Sequence, residues 1–127
     1  MKYVAFSFLY LSLNLALGNE SKSISYDLIE SRNVEDQNLK YHPDQKEPFS
    51  GTTTKIYNPV QDDGIAKVQN NWKDGKKDGV STLWRESDLK MVEQYYVSGK
   101  KQSETQWHEN GQKKSEKFFE NGLMFRL

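Results

Sequence analysis

The chain has 127 residues, 18 acidic and 18 basic side chains, and a mean hydropathy of −0.92. Zero net charge argues against wholesale attraction to nucleic acid or an anionic membrane, and the absence of cysteine excludes thiol catalysis, a disulfide framework and cysteine zinc sites. Only 35% of residues are hydrophobic, yet 13% are aromatic, so burial must lean on Trp, Tyr and Phe.

Residues 1–18 read as a secretory signal peptide. Lys2 is the only charge before Glu20, and Tyr3–Leu17 is an apolar run. Ala16-Leu17-Gly18 then puts small residues where a signal peptidase reads them. The run is shorter than the roughly 20 residues that span a bilayer comfortably. The expectation is export to a periplasm or the cell exterior, with cleavage between Gly18 and Asn19; a retained anchor is the alternative.

Residues 19–50 read as a polar tail and an N-terminal cap. Asn19–Ser25 carries almost nothing to bury. Tyr26–Ile29 and Leu39–Tyr41 each fit a short strand, and Pro43 and Pro48 bound a loop that leads to Phe49. Terminal repeats need such covers.

Residues 51–122 repeat. Val80–Lys100 aligns without gaps on Ser103–Leu123 at an offset of 23 residues, which sets Trp84 on Trp107, Tyr96 on Phe119 and Gly99 on Gly122. Gly51–Gly75 is a looser copy, with Tyr57 in place of the first tryptophan and Trp72 three residues before Gly75. Each unit reads as a β-hairpin. Gly64, Asp88 and Gly111 mark one set of turns, and Gly75, Gly99 and Gly122 mark the other. Asn110-Gly111 predicts a type I′ turn, which needs φ > 0 at both central residues.

One aromatic recurs in every strand: Tyr57, Trp72, Trp84, Tyr96, Trp107 and Phe119. With strands about 4.8 Å apart, these rings are expected to stack along the array as a buried spine. Tyr95 and Phe118 neighbour the spine in sequence, so the pleat turns them to the other face, where they are candidates for an exposed interaction surface. The predicted fold is all-β: serial antiparallel hairpins of about 23 residues in one elongated twisted sheet. Residues 123–127 form an apolar C-terminal tail that either folds back on the last strand or offers an edge to a partner.

Trp72–Gly79 (WKDGKKDG) and Trp107–Lys114 (WHENGQKK), with Glu47–Gly51 (EPFSG) ahead of them, resemble the bacterial MORN-repeat variant, often labelled the YwqK-type antitoxin family. The resemblance covers roughly Leu39–Gly122. It implies serial hairpins in a long curved sheet and non-catalytic roles: protein interaction, toxin neutralisation and, for eukaryotic repeats, membrane association. The sequence departs from the pattern at Gln102, where glycine is expected, and at Ser87-Asp88, which replaces Asn-Gly.

No constellation for catalysis, metal or cofactor appears. The two histidines, His42 and His108, lack metal-ligand spacing, and no phosphate loop or nucleophile elbow is present. Lysine pairs recur at 76–77, 100–101 and 113–114, and they read as solvating turn residues. Residues 19–66 carry a net −4 and residues 67–127 a net +3. The expectation is therefore a non-catalytic exported module that binds another protein. An inhibitor of one toxic protein and a peripheral lipid-binding module are the alternatives.

Overall fold

The computed structural model describes residues 22–125; the predicted signal peptide lies outside them. The elements in chain order are β1 (Ser23–Ser25), a single 3-10 turn (Tyr26–Leu28), β2 (Glu30–Val34), β3 (Gln37–Tyr41), β4 (Gly51–Ile56) and β5 (Ile65–Lys73). They continue with β6 (Lys76–Arg85), β7 (Lys90–Val97), β8 (Lys100–Trp107), β9 (Lys113–Glu120) and β10 (Leu123–Phe125). Strands β4 to β10 follow one another in a single open antiparallel sheet, and β1 adds to β4 in parallel, giving eight strands. β2 and β3 form a separate two-stranded hairpin. The sequential hairpin array is as the 23-residue period predicts.

The turns differ between the two ends of the sheet. At one end Asp74-Gly75, Ser98-Gly99 and Asn121-Gly122 all have two residues at positive φ, between 48° and 81°. These are the I′-type turns, whose twist matches that of the flanking strands. At the other end, in the β8–β9 loop, Gly111 has positive φ (84°) but Asn110 does not, the Gly111 amide bonds to the His108 carbonyl, and the His108 amide bonds to the Gln112 carbonyl. Asn110-Gly111 is thus part of a three-residue loop and not a I′ pair, correcting the expectation. Asp88 (φ 61°) takes the place of that glycine one repeat earlier, inside the same bonding pattern of Arg85, Asp88 and Leu89.

The cap is more structured than its sequence suggests. Ser23–Ser25, expected as loose tail, pairs with Thr52–Thr54. Tyr26–Leu28 is a 3-10 turn where a strand was expected, capped by the Ser25 hydroxyl accepting from the Asp27 amide. Phe49 is 1% exposed and Tyr41 6% exposed, so the cap supplies two of the three buried hydrophobic side chains among the described residues, Trp72 being the third. Backbone bonds stitch this layer to the array: Lys40 N–H to the Gly75 carbonyl (2.9 Å), Phe49 N–H to the Lys40 carbonyl (2.8 Å) and Gly75 N–H to the Phe49 carbonyl (2.8 Å). A Cβ on Gly75 would lie 3.0 Å from Leu39 and from the Lys40 backbone. Glycine is therefore needed there for close approach as well as for its φ of 79°.

The six repeat aromatics do not form one continuous spine. Tyr57, Trp84 and Trp107 lie at the end of the sheet with the longer loops, and Trp72, Tyr96 and Phe119 at the end with the I′ turns. Gly79 faces Tyr96 across the β6–β7 ladder, and Trp84 lies five residues further along β6. An odd separation puts Trp84 on the opposite face from Tyr96. Trp72 is buried at 9% exposure, and the other five rings are half-buried. The reason is geometric: two aromatics per repeat, one beside each turn, fall at opposite ends of a hairpin rather than side by side.

Candidate interaction surfaces

The sheet has two faces, set by the strand register. On the face called the back here lie Trp72, Tyr96 and Phe119, one ring on each of β5, β7 and β9. The strands between them supply lysines. Lys77 stands opposite Trp72 and has its ammonium 5.0 Å from the Tyr96 ring; Lys101 stands opposite Tyr96 and lies 4.5 Å from the Phe119 ring. On the front face the parity is reversed. Trp84 and Trp107 sit on β6 and β8, with Lys67 4.9 Å from Trp84 and Lys90 between them at 5.9 and 5.6 Å.

Each face thus carries an alternating ladder of ring and lysine. Ammonium groups over ring faces contribute about 0.5–1 kcal/mol each where exposed, and the lysine stems cover apolar ring surface. Bulges put the lysines there. The register slips by one residue beside Lys90, beside Lys101 and beside Lys113. Such a slip re-aims the neighbouring side chain. From the sequence the pairs 76–77, 100–101 and 113–114 read as solvating turn residues, and the placement of Lys77 and Lys101 over rings was not foreseen. The available signal was the fixed place of Lys77, Lys90 and Lys101, two residues after the turn residues Gly75, Asp88 and Gly99.

The back face also holds a polar network. Glu104, with a side chain 13% exposed, accepts hydrogen bonds from Lys101, Gln94 and Gln106, each 2.9 Å long. Tyr96 donates its hydroxyl hydrogen to Gln94 at 3.1 Å. Burial alone would raise the Glu104 carboxyl, but the three donors outweigh it and hold the pKa at about 2. Burial, then the nearby Lys101, lowers the Lys77 ammonium, and burial raises the Tyr96 hydroxyl. Every polar member of this network is occupied by another, so its role is to fix side chains.

The front face presents something different. Val80 lies opposite Tyr95, Tyr95 opposite Ser103, Ser103 opposite Phe118 and Phe118 opposite Phe125. This is one straight row across β6 to β10, apolar except at Ser103. It spans about 19 Å at the usual strand spacing. Val80, Tyr95 and Phe125 are 40%, 47% and 39% exposed. The Phe118 and Phe125 rings pack 6.1 Å apart. Val97, two residues beyond Tyr95 on the same face, is exposed as well. The structure therefore brings the two sequence-derived candidates, Tyr95 and Phe118, onto one surface and adds Val80 and Phe125 to it. It also places Trp84 and Trp107 on this face, whereas Trp72, Tyr96 and Phe119 are behind it.

Other predicted features stay apart. His108 lines an open groove with Arg85, Trp107 and Lys114 at the long-loop end, and His42 lies beside Asp44 in the cap. Lys76-Lys77 and Lys100-Lys101 begin strands at the I′ end, and Lys113-Lys114 begins one at the other end. Among the described residues no group of three or more His, Asp or Glu side chains is placed to hold a metal ion. No family model, no curated protein and no solved structure matches the chain.

Proposed function

We propose that this chain is a non-catalytic exported binding module, that its ligand is another protein, and that the ligand seats on the front face over Val80, Tyr95, Phe118 and Phe125. The observation that carries the reading is the cross-strand apolar row. A single-layer sheet with so few aliphatic residues has every reason to bury its rings, and the chain covers the rest with lysine stems. It leaves this row bare. A partly exposed row of apolar side chains, broken only at Ser103, is the kind of surface that protein recognition sites present. The likeness of residues 39–122 to MORN-type repeats, and the leader-like residues 1–18, support a binding role outside the cytosol.

The test is affinity capture by the mature chain from envelope extract of its native host. Tyr95→Ala is the informative variant, because Tyr95 is half exposed and its loss should move stability by no more than about 0.5 kcal/mol. The expected outcome is a defined protein retained by the parent chain and lost from the variant, with unchanged circular dichroism. Equal capture by the two folded proteins would show that the surface lies elsewhere.

A further inference from the structure

β10 ends the sheet at the side away from the cap, and its outer edge meets no other strand among the described residues. Its sequence departs from the repeat in one specific way. After Gly75 come Lys76-Lys77 and after Gly99 come Lys100-Lys101, but after Gly122 come Leu123-Met124. The register is unchanged: Lys77 faces Trp72, Lys101 faces Tyr96, and Met124 faces Phe119. Lysines are a usual means of keeping an open strand edge from pairing. The chain carries them on two interior strands and drops them on a strand whose edge is open. Leu123, Met124 and Phe125 are 75%, 55% and 39% exposed.

We propose that β10 is a self-association edge, at which a second copy of the chain adds its own β10 antiparallel about a two-fold axis. Met124 then faces Met124, and Phe125 faces Leu123 of the other copy. Three features select a second copy over a charged peptide. Residues 123–125 are uncharged, so the two-fold sets no like charges opposite one another. On the back face Phe119 and Met124 of each copy meet at the join, where thioether and ring make favourable contact. On the front face the row that ends at Phe125 runs on into Leu123 of the second copy. The interface is isologous and closes on itself. Three paired residues bury well under the roughly 1,000 Å² of a standard stable interface, so the association is weak and rises with concentration.

Sedimentation velocity of the mature chain over a wide concentration range tests this. Leu123→Lys combined with Met124→Lys copies the pair that this fold already carries at 100–101. The parent should shift from monomer to dimer with concentration, and the double variant should dimerise at least about tenfold more weakly. Should the double variant lose its β circular dichroism, Met124→Lys alone replaces it with the same expected direction. Tyr95→Ala should dimerise like the parent, which separates this edge from the front-face ligand surface. A parent that stays monomeric throughout, or a folded lysine variant that dimerises as well as the parent, overturns the proposal.

Discussion

Glu104 shows how this sheet treats a charge it cannot leave in water. Its carboxylate is nearly covered, yet three donors from Lys101, Gln94 and Gln106 keep it ionised, with a pKa of about 2 against an ordinary 4.5. A folded-state pKa below the unfolded value contributes stability that is present above pH 4.5 and is lost as the pH falls toward about 2. Glu104→Gln should be less stable than the parent near neutrality, and the gap should narrow as the pH falls through that window. Urea unfolding of both proteins across this range checks it; a constant gap would mean that the carboxylate charge contributes nothing. Little of this was legible in the sequence. Glu104 stands in a strand of polar residues, and nothing in its neighbours shows that Gln94, ten residues away, lies across the ladder from it. The lysines were misread for a related reason: a pair after a turn looks solvated until the bulge beside it is known.

Elements were more legible than contacts, because turn chemistry is local. Asp74-Gly75, Ser98-Gly99 and Asn121-Gly122 mark their hairpins correctly, since small or polar residues ahead of glycine tolerate positive φ. Asn110-Gly111 marks a turn too, but the extra loop residue there changes its type. β1 was missed because Ser-Ile-Ser is only three residues long, too short for its alternation to be read as a strand, and only the neighbouring threonines of β4 give it a partner. Phe49 read in the sequence only as the end of a proline-bounded loop. Its aromatic ring is the least exposed large side chain described, and its backbone joins the β3 edge to the Gly75 turn. Phe49→Ala should cost about 3–5 kcal/mol, the usual loss for a buried aromatic. Equilibrium denaturation measures it. A loss below about 1 kcal/mol would mean that the cap and the array are not cooperatively joined.

Across the whole molecule the two faces of the sheet carry different chemistry. One period in the sequence predicts one row of rings, but the hairpins split that row by end and by side, and lysines fill the intervening strands. What remains uncovered is the line from Val80 to Phe125, assembled from five strands and visible only once the register is known. Tyr95 and Tyr96 are the sharpest probe of this division, because they are adjacent in sequence and point to opposite faces. A photoreactive phenylalanine analogue placed at either position, in the mature chain exposed to host envelope extract, reads the face in contact directly. A front-face ligand gives a discrete cross-linked protein from position 95 and none from position 96. Cross-linking from position 96 alone, or equally from both, would contradict that placement.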